Sequence, residues 1–431
     1  MLERNGGTIR AVAWSDICPW LSIFRTFRLA IGFRALVMAA VAVFITVIGW
    51  YMIGNVFSVK DSTAASTDWL KQFADSPLKG TVDVVPDVPP VLTATYIRDV
   101  THSPVQEQVG NPVSYAFNYL NQPLREGLAQ EVSLKSVVCL ILCGLWSLAV
   151  WAFFGAAICR LAAVQLATSE RVSWGAALRH ACVKYVAYFS APLIPLVGVA
   201  LAALPVLLVG FVMYLPLGGL GVLLAGLSWP LMLIAGLVMT LLLLGLFFGW
   251  PLMWGTISAE GTDSFDALSR SYAYVFQRPL HYLFYAIVAA IVGWLGWLLV
   301  QNFASGIVWM TYWAASWGAK EDLVGKVMSG TDISGLGYAG VWLIHLSTGC
   351  VKLLAVGYLF SYFWTASVAI YFLLRRTVDA TEMDEVFLDA DEGEKAFALP
   401  KIAADEHGAP VAEEGPAANP DVKPPSGNLS E

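Results

Sequence analysis

The sequence predicts an all-α membrane protein of about six transmembrane helices with cytoplasmic interfacial elbow helices. Three observations carry that expectation. Of 431 residues, 58% are hydrophobic and only 13% charged, and the mean hydropathy of +0.66 exceeds what a water-soluble core requires. Apolar stretches of the roughly 20 residues needed to cross a hydrocarbon layer about 30 Å thick recur at 35–56, 136–158, 185–212, 230–256, 283–303 and 352–374. Basic residues gather at alternate ends of these stretches, as the positive-inside rule requires.

Orientation follows from the third observation. Arg25, Arg28 and Arg34 precede the first span, Arg160, Arg171, Arg179 and Lys184 lie between the second and third, and Arg270 and Arg278 lie between the fourth and fifth. Arg375 and Arg376 follow the last. These faces are expected to be cytoplasmic, with both termini inside and the chain integral to the inner membrane. The domain order then reads: a cytoplasmic segment 1–34 with an amphipathic helix, a first span at 35–56, an extracytoplasmic cap loop at 57–133, a bundle of five further spans at 134–375, and a cytoplasmic tail at 376–431. A cleaved signal peptide competes for the first span, because Ser62 to Ser66 supplies small residues after it. The apolar run is longer than a signal peptide's core, however, and 34 residues precede it, which suits an anchor.

The net charge of −7 conceals a split: residues 377–431 hold fourteen acidic and three basic residues, so the tail carries −11 and the remainder +4. The tail has too little apolar surface to offset the entropy of ordering and reads as disordered, with one short docking segment at Met383 to Leu388. In the cap, VVPDVPPVLT (84–93) reads as extended because of its prolines, and SYAFNYLNQPLREGLAQEVS (114–133) as a helix leading into the second span.

A short pattern recurs at the cytoplasmic turns. SIFRTFR (22–28), SWGAALR (173–179) and SFDALSR (264–270) each place a Ser, then an apolar residue, then an Arg six positions after the Ser, just before an odd-numbered span. Ser is expected to start a short helix as a cap, and Arg28, Arg179 and Arg270 near its end are candidate contacts to lipid phosphates. Phe24, Phe27, Trp174, Phe265, Tyr272 and Phe276 would lie in the headgroup layer. Three hairpin units follow, each an elbow helix, an outward span, an outer connection and an inward span.

At these elbows, and at TVDATEMDEVF (377–387) after the last span, the chain resembles uncharacterised bacterial multi-pass membrane proteins. More distantly, the elbow-plus-span layout is similar to the membrane domain fused to some glycerophosphodiester phosphodiesterases. The likeness covers the spans only and implies an architecture. The catalytic barrel of those enzymes has no counterpart in this sequence, so it implies no activity.

Searches for chemistry find no constellation. The five histidines are scattered, with no HExxH and no CxxC spacing, and no GxSxG surrounds a serine. No metal or other cofactor is expected, and the chain is expected not to be an enzyme. Cys139 and Cys143 read as small packing residues. Lys352 lies about 34 Å along a helix from Arg375, which makes it a snorkelling anchor at the outer boundary. A bundle without a buried ion pair or proton relay is the expectation. Trp309, Trp313 and Trp317, spaced four apart, align on one helix face as candidate outer-interface anchors.

The most unusual tract is the 75-residue stretch 185–259, which contains no Asp, Glu, Lys, Arg or His. Within it, Tyr214 to Pro230 is glycine-rich and apolar. It reads either as the turn of a hairpin with long tilted arms or as a re-entrant segment beside a third span broken by Pro192, Pro195 and Pro205. Under the second reading Pro205, Gly218, Gly219 and Gly221 line a path. Two functions therefore stand open. One is a non-enzymatic scaffold or accessory component of the cell envelope, whose partners are the lipid bilayer and an envelope protein met through the cap or tail. The other is a transporter or lipid-handling protein with a path near 192–230. The acidic cap lacks the basic clusters that nucleic acid would require.

Overall fold

The computed structural model describes residues 18–61, 65–74, 78–95, 97–101, 109–128, 133–169, 171–216, 219–319, 321–329, 334–387, 402–404 and 410–412. The chain divides into two compact units, 1–386 and 387–431. In the second, Ile402–Ala404 pairs antiparallel with Pro410–Ala412, Ile402 lying opposite Ala412. The rest of the expected disordered tail beyond Phe387 lies outside the described residues, as do Leu388 of its docking segment and Gly218 of the candidate path.

The first unit is built of helices. A 3₁₀ turn at Pro19–Leu21 leads into α1 (Ser22–Ala30) and α2 (Phe33–Val56). The cap holds α3 (Asp68–Ala74), α4 (Lys79–Val82), α5 (Pro90–Thr93), α6 (Ile97–Thr101) and α7 (Pro112–Gly127). Then come α8 (Leu134–Ala167), α9 (Trp174–Val183), α10 (Tyr185–Tyr214) and α11 (Gly219–Glu260). The series ends with α12 (Ser264–Gln277), α13 (Pro279–Gly318), α14 (Glu321–Ser329) and α15 (Leu336–Val378). Six of these, α2, α8, α10, α11, α13 and α15, are long and apolar enough to cross a membrane. The protein is an all-α, multi-pass membrane protein.

The spans are longer than the hydropathy windows that revealed them. At 1.5 Å per residue, the 42 residues of α11 extend about 63 Å and the 43 of α15 about 64 Å. Residues 338–353, an apolar tract ahead of the 352–374 stretch, form the first part of α15 itself, and α14 is tied to it where His345 Nε2 meets the Val327 carbonyl at 2.9 Å. Two local expectations in the cap change as well. Pro90–Thr93 forms a helical turn instead of extended chain, its Pro at the first helical position where a missing N–H costs nothing. α7 ends at Gly127, and α8 starts afresh with Ser133 as its cap, accepting from the Ser136 N–H at 3.2 Å.

At the centre stands α15. Its walls approach closely because glycines face them: a Cβ on Gly357 would lie 2.8 Å from the Leu36 carbonyl oxygen of α2, so only glycine permits this backbone contact. Gly155 of α8 likewise makes room for the Trp254 and Trp364 rings. The cap seals the far end through an aromatic cluster in which Trp50 meets Trp69 edge-on at 4.9 Å and Tyr119 at 4.8 Å.

After each of α2, α8, α11 and α15 the chain enters the left-handed region, at Ser58 (φ +50°), Ser169 (φ +63°), Gly261 (φ +64°) and Ala380 (φ +54°). A left-handed residue just past the last helical turn is how helices commonly stop, and only Gly261 does so without a side-chain penalty. The caps themselves depart from the expected pattern. Ser173 caps α9, accepting from the Ala176 N–H, but α12 is capped by Asp263 in place of Ser264, and Leu21 holds the cap position of α1. Ser22 instead donates to the Pro19 carbonyl at 2.8 Å. A carboxylate one position earlier does the same work as a hydroxyl, which a Ser-centred pattern misses.

Candidate functional site

Two places concentrate polar or ligand-sized features: the elbow end of the bundle and a side cavity toward the cap. At the elbow end, Glu260 closes α11 among three side chains. Its carboxylate pairs with Arg270 Nη1 at 2.6 Å and with Arg375 Nε at 3.6 Å, and accepts from the Tyr371 hydroxyl at 2.5 Å. Arg375, only 7% exposed, also donates to the Glu385 carbonyl at 3.0 Å, which fastens the segment after α15 to the bundle. Nearby, Arg160 of α8 is fully buried and donates to the Ser258 carbonyl at 2.8 Å. The expectation of a bundle without a buried ion pair is thus overturned. Arg375 and Tyr371 lie 115 and 111 residues from Glu260, and Arg160 lies 98 from Ser258, so nothing in a linear reading of either helix end announces these contacts.

The elbow basics serve the next unit as much as their own. Arg34, at the start of α2, donates to the Val172 carbonyl just before α9, and Lys184, at the start of α10, donates to the Gly261 carbonyl just before α12. Arg25 reaches the Ser169 hydroxyl at 3.0 Å. The first two elbow regions are thus each stitched to the linker before the next elbow. Partial burial of the Arg270 guanidinium opposes its charge, but the Glu260 and Asp266 carboxylates outweigh that and raise its pKa. The Tyr274 hydroxyl donates to Asp379, and burial together with that carboxylate pushes its pKa well above the usual phenol range.

Of the candidate phosphate contacts, Arg270 is therefore held by carboxylates. Arg28 is exposed and lines two adjoining cavities, of about 420 and 380 Å³, with Arg25, Arg34 and Arg171 around them. Arg179 is exposed on α9 and already engaged within the protein. The expected headgroup aromatics divide: Phe24 and Phe265 are 51% and 68% exposed, whereas Phe27 packs edge-on against Tyr358 and the Tyr272 hydroxyl donates to the Leu242 carbonyl.

Around the candidate path, α10 runs unbroken through Pro192, Pro195 and Pro205, and Gly219 and Gly221 lie in the first turn of α11. Among the described residues the tract is made of the ends of two continuous helical arms. Pro192 has no N–H to give the Tyr188 carbonyl, which lies four residues back, and that carbonyl instead accepts from Trp254 Nε1 at 3.0 Å. A side chain thus repairs the defect. Gly221 serves packing, since a Cβ there would meet the Val212 carbonyl of α10 at 2.7 Å.

The outer anchors take different roles. Lys352 is buried and pairs with Asp87 of the cap at 2.8 Å, so it ties cap to bundle. Trp309 and Trp313 stack at 6.2 Å and Trp313 meets Trp317 at 4.9 Å along one face of α13, with Trp317 77% exposed.

The side cavity, of about 380 Å³, lies between α7, α8, α10 and α11. Its floor is aromatic, with Trp151, Trp250 and Trp254, and its walls are aliphatic, among them Leu124, Ile141 and Leu193. Behind the floor Trp254 stacks on Trp364 at 4.3 Å, and Trp151 on Phe360 at 5.0 Å. In the cap, burial raises the Tyr115 hydroxyl to about 12, so it remains protonated at any physiological pH. Among the described residues no group of three or more His, Cys, Asp or Glu is placed to hold a metal ion. Comparison with family models, with curated proteins and with solved structures finds no match to the chain.

Proposed function

We propose that the chain is a non-enzymatic scaffold or accessory component of the inner membrane, with both termini cytoplasmic, that offers its α10–α11 hairpin to another membrane protein. One observation carries this reading. None of the most apolar 18-residue window of α10 is buried, and Leu207, Leu227 and Leu233 are 66%, 72% and 63% exposed along the two arms. At about 45 and 63 Å, the arms exceed a hydrocarbon layer of about 30 Å, and such mismatch is relieved by tilting or by association with other helices. The open cavities beside Arg28 support anionic lipid phosphates at the elbows. The segment held by Arg375 offers the start of the acidic tail as a second contact for a partner. The elbow-plus-span layout remains the basis for proposing kinship with the membrane domains named above. The alternative, a transporter or lipid-handling protein, now draws on the cavity beside Pro192 in place of a re-entrant segment.

Photo-crosslinking from Leu207 and Leu227 in native membranes tests the scaffold reading, with fully buried Val356 as the control. A discrete protein adduct of one mass from both arm positions, absent from the control, is the expected result. Lipid adducts alone from both arms would overturn it.

A further inference from the structure

We propose that the paired cavities around Arg28 hold a lipid with two phosphodiester groups joined by a short bridge, the chemistry of diphosphatidylglycerol. The assignment rests on the contact between elbows and lipid phosphate proposed above, and names the lipid.

The site has two lobes. The first, of about 420 Å³, has Arg28, Arg34 and Arg171 in its lining, and the second, of about 380 Å³, has Arg25, Arg28 and Ser169. Arg28, Leu29 and Gln165 belong to both, so the lobes adjoin. Arg25 and Arg28, three apart on α1, are neighbours on its surface. Four guanidiniums therefore surround the pair, and among the described residues no acidic side chain lines either lobe. A single phosphodiester brings one negative charge and leaves most of that cluster uncompensated. Two phosphodiesters, one in each lobe, match it better.

The arginines also differ in how far their donors are already spent. At the same end of the bundle, Arg270 and Arg375 each pair with two carboxylates. Arg28 and Arg171 are exposed and have neither an ion pair nor a side-chain hydrogen bond among the described residues, and the Gln165 amide shared by the lobes has no partner there either. Arg34 and Arg25 are positioned by one donor each, to the Val172 carbonyl and the Ser169 hydroxyl, and a guanidinium has five. Each lobe thus combines a positioned guanidinium with an uncommitted one, and the planar fork of arginine fits phosphate oxygens two at a time.

Apolar surface at each lobe selects a lipid over a soluble phosphate compound. Phe33 lines the first lobe, is 69% exposed, and lies 6.3 Å from the Trp174 ring; Phe24 lines the second and is 51% exposed. A lipid made of two phosphatidyl halves carries apolar chains beside each phosphate to lie against these rings, and a free bisphosphate has none. The location agrees, since Arg28 is in the last turn of α1 and Arg34 in the first turn of α2, where the proposed orientation puts the cytoplasmic headgroup layer. Basic pockets between helices on that side suit lipids with more than one phosphate.

The test uses the full chain in phosphatidylcholine discs that contain either diphosphatidylglycerol or twice the amount of phosphatidylglycerol, so that anionic phosphate is equal, with retained lipid counted by native mass spectrometry. One diphosphatidylglycerol per chain is expected, in preference to phosphatidylglycerol. Arg28→Gln and Arg171→Gln remove charge without removing a contact within the protein, and each should weaken retention about 5-fold. Arg125→Gln, on the cap helix α7, should leave it unchanged. Equal retention of the two anionic lipids would overturn the two-phosphate assignment while leaving lipid phosphate at the elbows. Retention of phosphatidylcholine alone would overturn both. Unchanged retention in both arginine variants would place the lipid elsewhere and overturn the proposal as well. Inorganic pyrophosphate added to discs of phosphatidylcholine alone should leave no adduct; an adduct lost in Arg28→Gln would assign the lobes to a soluble phosphate compound and overturn the lipid.

Discussion

The helix with the lowest hydropathy among the six spans is the most buried, and one of the two with the highest is the least. α15 averages 1.6 over its most apolar window, of which 89% is buried; α10 averages 2.7, of which none is. In water the order would be reversed, because burial there is driven by removing apolar surface from solvent. In lipid the tails are as apolar as leucine, so helices are sorted by what lipid cannot satisfy: hydroxyls, charges, and small residues that let backbones meet. α15 carries Ser361, Thr365, Ser367, Gly357, Lys352 and Arg375 inward, while α10 and α11 present leucine on nearly every face.

That contrast breaks first at Glu260. Replacing it with Ala leaves Arg375 deep in the bundle without its nearest carboxylate, and should cost about 3–5 kcal/mol in thermal unfolding of the purified protein. A loss below about 1 kcal/mol would mean that Glu385 replaces it fully. Next comes the glycine contact. Gly357→Leu forces a side chain into the α2 backbone and should cost about 1–3 kcal/mol, whereas Gly226→Leu on α11, where nothing lies within 4 Å, should leave the unfolding midpoint unchanged. Equal effects would show that the hairpin is packed against something in the purified protein.

A smaller effect sharpens the root of the hairpin, where α10 turns from buried to exposed. Trp254→Phe removes the donor that replaces Pro192's missing N–H, with an expected cost of about 1 kcal/mol. Added to Pro192→Ala, which supplies the N–H from the backbone, the same change should cost measurably less, and a double-mutant cycle reads the difference. Additive costs would argue that the indole bond and the proline are unrelated. Smallest of all, Leu207→Ala and Leu227→Ala on the arms should shift stability by less than about 0.5 kcal/mol, checked in the same unfolding assay.

Much of the fold was legible because lipid imposes a length and a composition on every span. The six apolar runs became six helices, and the Ser-to-Arg elbows became α1, α9 and α12. The candidate sites were harder to read. Pro192 looked like a breaker because its compensating donor is Trp254, 62 positions away, and Lys352 looked like a lipid anchor because Asp87 is distant in the chain. Arg270 read as a lipid contact for the same reason: Glu260 lies ten residues back, across a turn whose direction depends on the left-handed Gly261.

The sequence by itself determined the solvent in which this protein lives, the number of crossings, and the turns at which elbows form. All of these follow from local hydropathy and charge, which do not depend on neighbours in space. Only the tertiary structure decided which helix stands in the middle, which charges are paired, and which tryptophans line a cavity. Those are properties of pairs of residues far apart in the chain, and in a membrane, where every span is apolar, hydropathy cannot rank them.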